Sequence, residues 1–116
     1  MANKLSRNAF LPIITSPMGW EGNPTVQVQC PTCGDPYTHH DQVAVYQRRH
    51  EDGPVTRWSP GEPVAIVPEA ECPSPRRDAI RIGFRCESGH RFWLDIIQHK
   101  GITFVVAPPD KAQGSA

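Results

Sequence analysis

Apolar and polar residues alternate along much of the chain. This period of two predicts β-strands that bury one face. The clearest strand is predicted at residues 79–86, where Ile80 and Ile82 share one face and Arg81 and Arg85 share the other. Further strands are predicted at residues 25–30, 42–48, 64–67, 91–98 and 102–106.

The predicted strand at residues 91–98 has apolar residues on both faces, which favours a central position in a sheet. The next three residues, His99-Lys100-Gly101, predict a tight hairpin turn with Gly101 in the left-handed conformation. Thirteen prolines and nine glycines in 116 residues argue against long helices. Residues 51–63 and 69–78 are expected to be loops. The sequence therefore predicts a mostly β fold with long loops.

Two short cysteine motifs each follow a predicted strand. The first is Cys30-Pro31-Thr32-Cys33-Gly34, and the second is Cys86-Glu87-Ser88-Gly89-His90. Zinc in structural sites takes four Cys or His ligands in a tetrahedron. We expect the two turns, or knuckles, to face each other across one structural Zn²⁺. Its predicted ligands are Cys30, Cys33, Cys86 and His90, in a small zinc-ribbon-like antiparallel sheet.

The fourth ligand has alternatives. Cys72 could replace His90, although it lies in a proline-rich loop without a paired cysteine. His39 or His40 could also serve, because both follow closely after the first knuckle. A thioredoxin-like redox pair at Cys30 and Cys33 is disfavoured, since such a pair normally begins a helix.

Charge and composition narrow the function. Twelve basic and twelve acidic side chains give a formal net charge of zero, which lowers the expectation of a general nucleic-acid binder but permits a local basic patch. No apolar run reaches the ~18 residues of a membrane span, and the first eight residues are polar. We therefore expect a cytoplasmic protein whose four cysteines stay reduced.

Arginines mark a candidate partner surface. With Trp93, Tyr46 or Trp58 nearby, they could bind phosphate groups and stack bases. The competing interpretation is a solvated face balanced by acidic side chains. The candidate arginines are Arg48, Arg77, Arg81, Arg85 and Arg91.

Domain boundaries follow from the same patterns. Residues 1–24 are predicted to be an extended N-terminal arm, residues 25–107 a zinc-ribbon-like β domain, and residues 108–116 a disordered tail.

Five segments occur along the chain in a characteristic order: Cys30–Gly34, Thr38–His40, Pro73–Asp78, Phe84–Glu87 and Ile97–Thr103. This arrangement resembles a group of small, uncharacterised zinc-ribbon-like proteins of actinobacteria and their phages and mobile elements. The similarity covers roughly residues 25–106. In that group the second knuckle ends in cysteine where this chain has Gly89, followed by His90. The resemblance implies a zinc site in which Cys72 is not a ligand, and it implies a phage or mobile-element origin.

These features predict a small interaction module that is stabilised by zinc and binds a protein or nucleic-acid partner without catalysis. One alternative is a metal-dependent nuclease or other hydrolase that uses His39, His40 and Asp41. Another is a virion-associated phage protein stabilised by zinc.

Overall fold

Eight strands and two single 3-10 turns form the secondary structure of residues 12–108, which are the residues that the computed structural model describes. No α-helix occurs among these residues, and none of their helical segments is long and apolar enough to cross a membrane. The 3-10 turns are Trp20–Gly22 and Glu69–Glu71. The strands are β1 (Ile13–Ser16), β2 (Thr25–Val28), β3 (Thr38–Gln47), β4 (Val55–Trp58), β5 (Ala65–Val67), β6 (Ala79–Cys86), β7 (Arg91–His99) and β8 (Ile102–Val106).

The strands form two sheets. β1 and β2 form an antiparallel pair with Ile13 opposite Val28 and Ser16 opposite Thr25. The other sheet has six strands in the order β5-β4-β3-β6-β7-β8. The observed pairs β3–β4, β4–β5 and β7–β8 are all antiparallel. The prediction of a mostly β, antiparallel fold with long loops is confirmed.

The chain divides into two compact units. Among the described residues, the first unit comprises residues 12–40, 84–92 and 108. It contains both cysteine knuckles. Its aromatic core includes Phe84 and Phe92, whose rings stack with centroids 5.1 Å apart. The edge of the His40 ring packs against Phe84.

The second unit comprises residues 41–83 and 93–107. Its core is a cluster of buried side chains that includes Tyr46, Val55, Cys72 and Ala79. Alternation explains this core, because Ala44 and Tyr46 lie two residues apart on β3 and so point to the same face. The cluster holds β3, β4 and the start of β6 together around the loop that carries Cys72.

A two-residue turn joins β7 to β8. His99 lies opposite Ile102, so Lys100 and Gly101 form the turn. Both residues have positive φ values, 52° and 79°. This is the backbone pattern of the turns that suit the twist of a hairpin. The predicted hairpin with Gly101 in the left-handed conformation is confirmed.

Several strand predictions need correction. β1 lies within the segment predicted as an extended arm, and β4 lies within residues 51–63, which were predicted as a loop. β3 begins at Thr38, four residues earlier than predicted. It pairs with β4 and neighbours β6, whereas β2 pairs with β1, so the first knuckle joins strands of different sheets. β2 and β3 therefore do not pair with each other.

The domain boundaries predicted at residues 24 and 107 remain predictions. Most of the predicted tail, residues 109–116, lies outside the described residues, as do residues 1–11 of the arm. Pro108, which was assigned to the tail, is buried.

Candidate metal centre

The first knuckle begins directly after β2. The backbone N–H of Gln29 donates to the carbonyl of Pro12 at 2.9 Å, which fixes the end of the strand. Within the turn, the N–H of Gly34 donates to the carbonyl of Cys30 at 2.7 Å. Gly34 has a φ of 76°, a conformation that favours glycine. This closed turn places Cys30 in the interior and leaves Cys33 exposed.

The second knuckle has a similar hydrogen-bond pattern at the end of β6. The N–H of Cys86 donates to the carbonyl of His90 at 2.9 Å, and the N–H of Gly89 donates to the carbonyl of Cys86 at 3.0 Å. Gly89 has a φ of 97°. The backbone N–H of His90 also points at the Cys86 sulfur, 3.4 Å away. The turn therefore directs the side chains of Cys86 and His90 towards the same point.

The two knuckles bring four ligand atoms together. The Sγ atoms of Cys30, Cys33 and Cys86 and a ring nitrogen of His90 all lie within 4.8 Å of one another. Cys33 Sγ is 3.9 Å from Cys86 Sγ, and Cys86 Sγ is 3.5 Å from His90 Nδ1. A tetrahedral zinc with its usual bond lengths separates two sulfurs by about 3.8 Å and a sulfur from a nitrogen by about 3.6 Å. These four residues can therefore hold a metal ion, and the two short separations match those of a zinc tetrahedron.

Hydrogen bonds affect the ionisation of the thiols. Burial raises the pKa of Cys86, but hydrogen bonds with the backbone and ring of His90, with the backbone of Ser88 and with the Cys30 thiol together outweigh it and lower the pKa to about 7. Burial raises the pKa of Cys30, opposed in part by backbone hydrogen bonds from Cys33 and Thr32. Only the thiolate is a strong zinc ligand. Cys86 is thus prepared to bind a metal near neutral pH.

Contacts outside the ligand set also join the knuckles. The backbone N–H of Glu87 donates to the carbonyl of Tyr37 at 3.1 Å. The Glu87 carboxylate lies 3.1 Å from His39 Nε2, and Ser88 Oγ donates to an Asp35 carboxylate oxygen at 3.4 Å. No role was predicted from the sequence for Glu87 or Asp35. The available signal was that each knuckle contains or is directly followed by an acidic residue.

The alternative ligands lie elsewhere. Cys72 belongs to the hydrophobic core of the second unit, and its thiol faces the carbonyl of Arg77 at 3.7 Å. His39 is paired with Glu87, and His40 packs against Phe84. None of these three belongs to the four-residue ligand group.

The predicted partner-binding arginines differ in exposure and position. Arg48 is buried, with 1% of its side chain exposed, and donates to the carbonyls of Glu51 and Ser74. Arg77 pairs with the Glu51 carboxylate at 2.8 Å, and Arg81 forms two hydrogen bonds to Asp95. Arg85 and Arg91 are exposed and lie directly beside Cys86 and His90 in the sequence. Arg48, Arg77 and Arg81 belong to the second unit, and Arg85 and Arg91 belong to the first.

The histidine pair proposed for hydrolysis does not converge. His39 and His40 are neighbours on β3, where successive side chains point to opposite faces. His39 forms an exposed pair with Glu87, while His40 has an aromatic contact with Phe84. These contacts give both histidines structural partners, and among the described residues His39, His40 and Asp41 do not form a group that could hold a metal ion.

Comparisons with known proteins identify no relative of this chain. No protein-family model matches the chain, and no curated protein sequence or solved structure is significantly similar to it. What the fold and the site define is a mostly β protein with a Cys₃His group able to hold a metal ion.

Proposed function

We propose that this chain is a small interaction module whose first unit is held by one structural Zn²⁺, and that it binds a protein or nucleic-acid partner without catalysing a reaction. One observation carries the proposal: three sulfurs and one imidazole nitrogen lie within 4.8 Å of one another. Four protein ligands complete a tetrahedron and leave no position for water or a substrate. Such closed sites stabilise a fold.

Zinc has a clear structural role in this unit. Cys33 and Cys86 are 53 residues apart in the sequence, so a shared metal ion closes a long loop. The described part of the first unit has few buried apolar side chains, with Phe84 and Phe92 the largest. Metal binding would therefore supply folding free energy that a small core lacks.

We place the partner contact at the second knuckle. Arg85 and Arg91 are exposed on either side of it in the sequence. The other three candidates, Arg48, Arg77 and Arg81, belong to the second unit. The zinc would fix the backbone that carries both exposed arginines. The resemblance to zinc-ribbon-like proteins of actinobacteria and their phages supports a phage or mobile-element origin, with the host cytoplasm as the compartment.

Metal content tests the zinc site. We expect one zinc ion per purified chain, and loss of that ion in Cys30→Ala, Cys86→Ala and His90→Ala. Cys72→Ala and His39→Ala are matched controls, because they remove the same side-chain types outside the ligand group, and both should keep the metal. Zinc retained after His90→Ala, or lost after His39→Ala, would contradict the proposed ligand set.

Salt dependence separates the two partner classes. If the partner is a nucleic acid, affinity for a labelled single-stranded oligonucleotide should fall steeply as salt rises. Arg85→Ala combined with Arg91→Ala should weaken that binding and reduce the salt slope by about two. If the wild type and the double variant bind the oligonucleotide with equal affinity, Arg85 and Arg91 do not form the partner contact. No measurable nucleic-acid affinity would leave a protein as the partner.

A further inference from the structure

A cluster of cationic side chains surrounds an open depression in the second unit. The depression has a volume of about 100 Å³ and is lined by residues from three segments. Glu51 comes from the loop between β3 and β4, Arg76 and Arg77 from the loop before β6, and His99 and Lys100 from the end of β7 and the turn that follows it. Among these five residues, only Arg77 was a candidate from the sequence.

The charge of the depression differs from that of the chain. Arg76, Arg77 and Lys100 contribute three positive charges and Glu51 one negative charge, which leaves +2 with His99 neutral. The whole chain has a formal charge of zero. Guanidinium groups donate paired hydrogen bonds to phosphate oxygens, and a lysine ammonium adds a point charge. The depression therefore has the donor set of a phosphate site.

The walls of the depression are fixed by hydrogen bonds. Ser74 is fully buried, and its hydroxyl accepts from the backbone N–H of Arg77 at 3.1 Å and donates to the carbonyl of Gln98 at 2.9 Å. The Ser74 carbonyl accepts from the buried Arg48 guanidinium at 3.2 Å. These contacts tie the arginine loop to the end of β7, next to His99. The backbone segments that carry the cationic side chains are therefore ordered before a ligand binds, which lowers the entropy cost of binding.

Lys100 holds a backbone conformation that lysine seldom adopts. Its φ is 52°, in the left-handed region where Gly, Asn and Asp are favoured. The residue lies at the first position of the β7–β8 turn, and asparagine there would be the usual choice for stability alone. Lys100 lines the depression from this position, at some cost to the turn. Local strain of this kind is characteristic of functional positions.

Glu51 forms ion pairs with both Arg76 and Arg77 in this structure. Its two carboxylate oxygens lie 2.8 Å from Arg77 Nη2 and 3.5 Å from Arg76 Nη1. Both arginines and Glu51 are well exposed, so this ion pair can open at small cost. Inorganic phosphate or a phosphate monoester carries more charge and more acceptor oxygens than a carboxylate, and a backbone phosphate carries the same single charge as Glu51. Glu51 is therefore placed as an internal competitor that an incoming phosphate would displace.

We propose that this depression binds a phosphate group, with Arg77 and Lys100 as its main contacts and Glu51 as the competing carboxylate. The phosphate can belong to a small anion or to the backbone of a nucleic acid, and the same donors suit both sources. This inference goes beyond the proposed zinc module because all its residues belong to the second unit and none is a predicted metal ligand.

Three variants test the phosphate site. Arg77→Ala removes a guanidinium whose side chain is half exposed, and Lys100→Asn removes the ammonium while supplying a residue suited to the turn. Each should weaken phosphate binding by about tenfold, the effect of losing a charge-assisted hydrogen bond. Glu51→Gln should strengthen it several-fold, because the competitor loses its charge. Glu62→Gln is the matched control, since Glu62 is an exposed acid paired with Arg57 and does not line the depression.

Two probes are used. Binding of inorganic phosphate is measured by calorimetry, and binding of a labelled oligothymidine is measured by fluorescence anisotropy at fixed salt. Binding of inorganic phosphate that follows the pattern of the variants supports a small-anion site. Binding of the oligothymidine alone, with the same pattern, supports a backbone phosphate. The proposal is overturned if the wild type binds neither probe, or if Glu51→Gln and Glu62→Gln have equal effects. Zinc content is measured in every variant, and its retention separates this result from failure of the metal site.

Discussion

The indole ring of Trp93 packs directly against Gly83 on the neighbouring strand. A β-carbon at position 83 would overlap the six-membered part of that ring. Trp93 and Gly83 are both buried, and the Arg81 guanidinium lies 5.9 Å from the centre of the indole ring. Position 83 of β6 is therefore a glycine, because the Trp93 ring on β7 fills the space that a side chain would occupy.

Gly83→Ala should destabilise the protein by about 1–3 kcal/mol, because the added methyl group must push the Trp93 ring from its position. Denaturant unfolding followed by far-ultraviolet circular dichroism measures this change. Gly53→Ala is the matched control, since its β-carbon would make only an ordinary contact, 3.4 Å from the His50 carbonyl. It should change the free energy of unfolding by less than about 0.5 kcal/mol. Equal effects of the two substitutions would contradict the packing described.

Arg81 is predicted to stabilise the fold, in contrast to its expected role as a partner contact. Its guanidinium donates to both oxygens of Asp95, at 2.7 and 2.8 Å, and 6% of the Asp95 side chain is exposed. The hydrogen bond to Asp95 raises the pKa of Arg81, although burial opposes it. Removal of either partner leaves a largely buried charge without its counter-ion.

Arg81→Gln and Asp95→Asn should each lower the free energy of unfolding by about 3 kcal/mol, near the low end for buried pairs because Arg81 is partly exposed. The double variant should lose less than the sum of the two, since both changes remove one interaction. Urea unfolding of the four proteins gives the coupling. Arg85→Ala, at an exposed position on the same strand, should cost at most about 1 kcal/mol. Additive losses in the double variant would show that the pair is not coupled.

Gly89 is predicted to be required for metal affinity. It lies between Cys86 and His90 with a φ of 97°, and an alanine there would strain the turn that aims both ligands. Gly89→Ala should weaken zinc binding roughly 5- to 30-fold, the equivalent of about 1–2 kcal/mol of backbone strain. Competition with a chromophoric chelator measures this affinity.

Gly61→Ala is the control for this substitution. Gly61 also has a positive φ, 80°, and a β-carbon added at either Gly61 or Gly89 would meet no atom within 4 Å. Gly61 lies in the loop between β4 and β5, outside the ligand group. Gly61→Ala should therefore destabilise the fold by a similar amount and leave the affinity for zinc unchanged. A comparable loss of zinc affinity in both variants would point to general destabilisation.

The predicted ligands converge because their signals are local. Cys30 and Cys33 share one turn, as do Cys86 and His90, so spacing alone brings each pair together. The strands that carry the second knuckle were also predictable, since β6 alternates over eight residues and β7 is a nine-residue segment with apolar residues on both faces. The prediction that the two knuckles converge required only the assumption that one tetrahedral metal ion binds both pairs of ligands.

The other features depend on contacts that a linear pattern does not show. β4 has only four residues and lies between Gly53-Pro54 and Ser59-Pro60, so its alternation was hidden by turn residues. The partners of the arginines are distant in sequence: Asp95 is 14 residues from Arg81, and Glu51 is 26 residues from Arg77. A strand face of exposed arginines and a set of internal ion pairs have the same sequence pattern.

Tyr46 should make the stability of the protein fall at high pH. Burial raises its pKa above the ordinary value of 10.0, and the negative charge of Glu71 adds to the effect. The neutral phenol is therefore favoured in the folded chain, and the resulting stability is fully present below pH 10.0 and lost as the pH rises through the raised pKa. The free energy of unfolding in urea, measured at intervals from about pH 9 to about pH 11, should decline, with a smaller decline in Tyr46→Phe. At neutral pH the same substitution removes only a 3.4 Å hydrogen bond to Glu71 and should cost less than about 1 kcal/mol. An identical decline in the two proteins would assign the alkaline loss of stability to groups other than Tyr46.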